Sequence, residues 1–188
     1  MNETVLGEFL LVLGAVVDLA SFERALQNYP SLTSRGAWTL QRLGPGLDLV
    51  HQGEVMFSEG ECGAAGLYHL APPPGERPVS SREFQARVVD DFRRGLPPVP
   101  PSAAGRFCYV TWNLPARRIA ACTDPFRTIP LYATAVPGLA ACATDLRLLY
   151  AAGLAAADVD PHALYHYLNF GYVPTPFCIV KRVEKVPP

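Results

Sequence analysis

Five cysteines, four histidines and a few isolated carboxylates carry what chemistry this chain could do, and their spacing narrows the choice. Glu61-Cys62-Gly63-Ala64-Ala65-Gly66 sets a thiol among small residues, as a nucleophilic cysteine would be set. The same glycines equally suit a tight turn between Val55-Met56-Phe57 and Leu67-Tyr68-His69-Leu70, and the turn is the expectation. Cys108, Cys122 and Cys142 fall inside apolar runs and read as small core residues. With an odd total and no CxxC pair, neither a zinc framework nor a full disulfide set is indicated. His162 and His166 stand one helical turn apart, the spacing of two metal ligands. No third ligand keeps a matching pattern, so no metal site is expected.

These residues must be positioned by a mixed set of elements. Phe107 to Trp112, Arg118 to Thr123, Ile129 to Thr134 and Leu139 to Ala143 are short apolar runs separated by turn residues. Connections this short allow only hairpins, so the sheet is antiparallel. Asp124-Pro125 breaks the second run, and Asp124 reads as a turn or capping residue. Thr144 or Asp145 can cap a short helix, Leu146 to Ala152, stopped by Gly153. Upstream, Phe9 to Asp18 reads as a fully buried strand, and Ser21 as the cap of a helix with Phe22, Ala25, Leu26 and Tyr29 on one side. Ser80 and Glu83 have capping-box spacing, followed by Phe84, Val88 and Phe92 every four residues on an amphipathic helix. Asp160-Pro161 opens a last helix that Gly171 ends, and Ile179 to Val186 reads as a final strand.

Bulk composition sets bounds on class. A length of 188 residues suits one domain, and 49% hydrophobic with 18% charged residues is ordinary for a globular chain. A net charge of −1 gives no electrostatic reason to expect nucleic acid or an anionic membrane as partner. Phe9 to Val17 is apolar but too short to span a bilayer, and acids precede it where a signal peptide carries positive charge. A cytoplasmic location is expected. Periodicity alone supports an α+β domain with antiparallel sheet.

The second half resembles the N-terminal glutamine amidotransferase domain of the asparagine synthetase family, which is of the N-terminal-nucleophile (Ntn) hydrolase type. The resemblance is carried by Gly105 and Phe107, by Asp124 with Pro130-Leu131-Tyr132, and by Cys142-Ala143-Thr144-Asp145 with Leu148-Leu149. It continues in Asn169-Phe170-Gly171-Tyr172-Val173-Pro174 and Lys185-Val186-Pro187-Pro188. It implies a four-layer αββα sandwich of two antiparallel sheets over residues 1–188, with no synthetase domain in this chain. In such domains an N-terminal cysteine attacks the glutamine amide while its own α-amino group acts as base. Matching Gly14 to the second glycine of that family's opening motif puts Leu10 at the nucleophile position. A mid-chain leucine has neither thiol nor amine. Cys62 could substitute only if the chain were cut before it, and too few residues then separate it from Gly105.

The remaining counterparts thin out in the same way. Arg35 in Ser34-Arg35-Gly36 stands where the resemblance places the arginine for the glutamine carboxylate, and Ser81 stands where it places the aspartate for the ammonium group. The glycine expected three residues after Asp124 is Arg127, and no Asn-Gly pair supplies an oxyanion donor between Asn28 and Asn113. The implied function is therefore a degenerate glutaminase-like domain. It would serve as a structural or docking domain for an asparagine-synthetase-like, ATP-dependent amide-forming partner in cis or in trans. Two alternatives stay open: an active glutamine-hydrolysing amidotransferase of asparagine biosynthesis, and a free-standing small-molecule binding module. No cofactor is expected in this chain; ATP and magnesium belong to the synthetase partner. Self-association is left open.

Overall fold

A computed structural model describes residues 7–34, 36–58, 60–71, 79–97 and 104–188. The first strand, β1 (Glu8–Leu13), is apolar on both faces because it is covered on both. Phe9 and Leu11 point into the core between two sheets, whereas Leu10 and Val12 point into the core beneath a helical layer. The strand is shorter than the run Phe9 to Asp18 suggested. Gly14, at φ +90°, turns the chain away, and a β-carbon there would lie 1.9 Å from the Gly138 carbonyl oxygen. Helix α1 (Leu19–Leu26) begins after Asp18, not at Ser21. Ser21 lies in its first turn and donates to the Asp18 carboxylate at 2.5 Å. Phe22 and Leu26 are its buried face, and a short α2 (Pro30–Thr33) adds Leu32.

The hairpin of β2 (Thr39–Gly44) and β3 (Leu47–Gln52) turns at Pro45-Gly46 and pairs β3 against β1. Then come β4 (Met56–Phe57), β5 (Cys62–Ala71), α3 (Ser81–Arg93), β6 (Ala104–Asn113) and β7 (Arg118–Thr123). The last part holds β8 (Tyr132–Val136), β9 (Leu139–Ala143), α4 (Leu146–Ala151), α5 (Pro161–Phe170) and β10 (Glu184–Lys185). All strand pairs are antiparallel. They form one sheet in the order β10-β8-β9-β1-β3-β2 and another in the order β4-β5-β6-β7.

Three apolar clusters fix the layers. Phe9, Leu11, Leu47 and Leu49 from the six-stranded sheet meet Leu67, Cys108, Val110 and Trp112 from the four-stranded one. Leu10, Val12, Val50 and Ala143 pack outward on Phe22, Leu26, Leu148 and Leu149 of α1 and α4. Phe84 and Val88 of α3 cover Phe107, Tyr109 and Cys122 on the far face of the smaller sheet. The chain is thus an α+β sandwich of four layers, helix–sheet–sheet–helix, as the resemblance implied. Burying each large apolar side chain in these clusters contributes about 1.5–3 kcal/mol.

Three further expectations are corrected. The four apolar runs from 107 to 143 do not share one sheet: β6 and β7 belong to the smaller sheet, β8 and β9 to the larger. The segment 179–186 is mostly not strand. Val180, Val183 and Val186 are its buried residues, a spacing of three that no strand provides, and Arg182 at φ +62° turns the chain between them. Finally, the glycines after Cys62 make no turn. The turn lies earlier, near Gly60, and Gly63 and Gly66 sit inside β5 opposite Trp112 and Tyr109. A β-carbon at Gly66 would come within 2.5 Å of the Tyr109 Cβ and 2.6 Å of the Cys108 carbonyl oxygen. These glycines let aromatic rings approach the backbone. Gly66→Ala is therefore expected to cost about 1–3 kcal/mol through overpacking, measured as a shift of the urea unfolding midpoint. Unchanged stability would contradict that contact.

Candidate functional site

Functional side chains have few places to stand in this sandwich, because the middle of β1 is sealed on both faces. Leu10, at 0% exposure, pairs with Val50 and Ala143 and faces the helices, so its side chain meets no cleft. Polar groups gather instead at the start of β1. The Thr144 hydroxyl donates to Glu8 Oε2 at 2.6 Å and accepts from the Phe9 backbone N–H at 3.0 Å. The Thr144 N–H returns a bond to the Phe9 carbonyl at 3.1 Å. Next to Thr144, Asp145 caps α4 by accepting from Arg147 N at 2.9 Å, and it also holds the Arg147 guanidinium at 2.5 Å. Arg147 donates onward to Ser31 Oγ at 2.7 Å. At the adjoining end of β3 the Gln52 side-chain amide donates to the Gly36 carbonyl, while its buried oxygen Oε1 has no partner among the described residues. Arg35 lies outside the described residues.

The fold separates the remaining candidates from this cluster. Cys62 opens β5 and Ser81 opens α3, both in the layers around the smaller sheet, on the opposite side of the sandwich from the outer face that Leu10 meets. Cys62 is half-buried in a groove of about 660 Å³ between α3 and β4, with Arg82, Gln85, Val89 and Phe57. Gln85 donates across the floor to the Ala64 carbonyl at 2.8 Å. Ser81 is half-exposed at the helix start, where Ser80 and Glu83 complete the expected capping box. The other four thiols are buried. Burial pushes the Cys142 thiol up to about 12, and it raises Cys108 and Cys122 as well. A thiol held so far from its thiolate is no nucleophile.

His162 is exposed on α5. His166 is wedged beside the rings of Phe170 and Phe177, whose centroids lie 5.9 and 5.0 Å away. Among the described residues no three His, Cys, Asp or Glu side chains are placed to hold a metal ion. Glu8 and Gln52 were missed by the sequence reading. Glu8 meets Thr144 across 136 positions of sequence, and Gln52 belongs to a hairpin that carries no strong apolar alternation.

Asp124 has a structural task. Sealed from solvent, its carboxylate accepts from Phe126 N at 3.0 Å, Thr128 N at 3.1 Å, Thr128 Oγ1 at 2.7 Å and Phe107 N at 3.3 Å. It thereby fixes the turn that carries the chain from one sheet to the other. Burial works to raise its pKa, but these donors outweigh it and hold the carboxyl below its ordinary value. Three residues on, Arg127 adopts φ +50°, the left-handed region for which the resemblance had offered glycine. Asp124→Ala is expected to cost about 2–4 kcal/mol by orphaning buried donors. Because the folded pKa is depressed, the stabilisation is complete above the unfolded value of about 4 and fades as pH falls through the folded value. Denaturant titrations should show wild type and Asp124→Asn converging only in that acid range.

Residues 94–188 match the family described as a glutamine amidotransferase domain. Asparagine synthetase (glutamine-hydrolysing) 1 of Bacillus subtilis (strain 168) is 31% identical over 84 residues, covering 45% of this chain and 13% of that protein. The chain therefore matches only a small part of that relative's length. The matched half runs from the end of α3 through the Asp124 turn, the Thr144-Asp145 cap and α5. The chain belongs to the glutamine amidotransferase domain family and is related to glutamine-hydrolysing asparagine synthetase.

Proposed function

We propose that this domain has lost glutamine hydrolysis and serves as a structural and docking domain for an asparagine-synthetase-like, ATP-dependent amide-forming partner, in cis or in trans. One observation carries the loss of activity. No cysteine precedes Cys62 in the sequence, so β1 itself carries no thiol; Cys142, opposite Leu11 on β9, is buried with its pKa pushed up, and the start of β1 is occupied by the Glu8–Thr144 bond. Without a thiol beside a free amine, β1 supplies neither the nucleophile nor its base. ATP and magnesium would be bound by the partner.

The Cys62 groove is what favours the alternative of an active enzyme processed before Cys62. The topology weighs against it. A cut there would sever β1, β2, β3 and β4 from the rest, and β1 and β3 are interior strands of the larger sheet. Purified protein should release no glutamate from glutamine above background, with or without Cys62→Ala. Glutamate release that disappears in Cys62→Ala would overturn the proposal.

The docking role draws support from α5. Its sequence, PHALYHYLNF, contains no Lys, Arg, Asp or Glu, and Ala163 is its buried residue. Tyr165, Leu168 and Phe170 are 64%, 75% and 59% exposed. A surface helix without charge suits a face covered by another domain. Tyr165→Glu with Leu168→Glu is expected to weaken association with the synthetase partner at least tenfold while leaving the thermal midpoint of the isolated domain unchanged. Equal binding by the double variant, read by isothermal titration, would rule this face out.

A further inference from the structure

The flank of α5 beside Leu168 borders an open cavity of about 620 Å³ against the edge of the larger sheet, with Leu164 and Tyr167 40% and 52% exposed. This volume lies within the range of small-molecule sites. Leu164 and Tyr167, three residues apart on α5, form one wall; Tyr132 of β8 and Ile179 form the other, and Tyr172 flanks them. Leu168, a residue of the docking face, does not line it. The lining is aliphatic and aromatic except for phenol groups, a thiol and one charge.

That charge is Lys185 on β10. Its ammonium donates one hydrogen to the Val173 carbonyl at 2.6 Å, which leaves two donors to use. Among the described residues no carboxylate lines the cavity. Arg127, tied to the Thr175 hydroxyl, acts on Lys185 as a second positive charge, and Asp145 is already neutralised by Arg147. Desolvation holds the Lys185 ammonium below its usual value, with Cys178 opposing and Arg127 adding to it, so an anion arriving there would meet a partly desolvated cation. Tyrosine walls and a single cation suit a ligand that is apolar along its body and carries one negative group at its end.

We propose that this cavity binds a small organic monocarboxylate, its aliphatic or aromatic body between the tyrosine rings and its carboxylate on Lys185. The site adjoins the docking face, Leu164 lying one turn from Leu168, but the inference does not rest on the docking role. The test uses 4-phenylbutyrate and its neutral amide as probes in isothermal titration, with binding located by NMR shift changes. The acid should bind at least tenfold more tightly than the amide, with shifts centred on Tyr172 and Cys178. Lys185→Met should abolish the difference between acid and amide, Tyr167→Ala should weaken both, and Leu168→Ser should change neither. Thermal unfolding confirms that each variant is folded. If Lys185→Met does not fold, the acid–amide comparison on wild type decides alone. Equal affinity for the two probes, absence of binding by the acid at millimolar concentration, shifts centred on the Cys62 groove, or a folded Lys185→Met variant that keeps the preference would each overturn the proposal.

Discussion

Between the two sheets the Trp112 indole is shut off from solvent, its N–H donating to the Gly60 carbonyl at 3.0 Å and its ring lying against Gly63. This dry layer is what keeps two sheets opposed, and it has a consequence for chemistry. β1 runs through the middle of the larger sheet, with Phe9 and Leu11 in that layer and Leu10 and Val12 in the outer one. A polar or ionised group at any of these positions would lose its water without gaining partners, at a cost of several kcal/mol. Functional groups are thereby driven to the strand ends and to the edges of the sandwich. Glu8 with Thr144, the Cys62 groove and the Lys185 cavity all obey that constraint.

What the sequence reveals of this arrangement follows the range of the forces involved. Helix caps are local, and Ser80 with Glu83, Asp145, and Asp160-Pro161 with Gly171 all stand where spacing placed them. The hairpins β6–β7 and β8–β9 were visible for the same reason, since a few turn residues fix each one. Which sheet a hairpin joins is decided elsewhere. Asp124 bends the chain, and Ile129 and Leu131 then drop into the core between the sheets, so neighbouring hairpins end on opposite layers. No local pattern carries that information. The hairpin of β2 and β3 was missed because β2 is an edge strand with one fully buried residue, Leu43, and β3 hides two polar side chains, Asp48 and Gln52.

Glycines misled the reading in one place and deserve two explanations in another. Gly63 and Gly66 looked like turn residues, yet their role is to leave space for Trp112, Tyr109 and the Tyr68 hydroxyl. Gly14 anchored the placement of Leu10 against the family's opening motif. Its positive φ and its contact with the Gly138 carbonyl would require glycine there whatever the chemistry of the strand before it. The identity of a residue at a tight contact reports the contact first. Glu8 and Thr144 were legible only in part: the Thr144-Asp145 pair belongs to a recognisable motif, whereas its partner is brought in by the β1–β9 pairing.

The family match covers residues 94–188, and that half contains both kinds of retained feature. Asp124, Thr144 and Asp145 each satisfy backbone donors that folding would otherwise bury unpaired, so losing any of them would destabilise the domain whether or not it hydrolyses glutamine. Fold maintenance is a sufficient reason for their presence. It is no reason for α5, where Tyr165, Leu168 and Phe170 project outward and bury little within the domain. Replacing such residues by charged ones would cost the isolated domain little and would improve its solubility. The proposed docking role therefore draws its support from this uncharged, aromatic surface helix more than from any catalytic group.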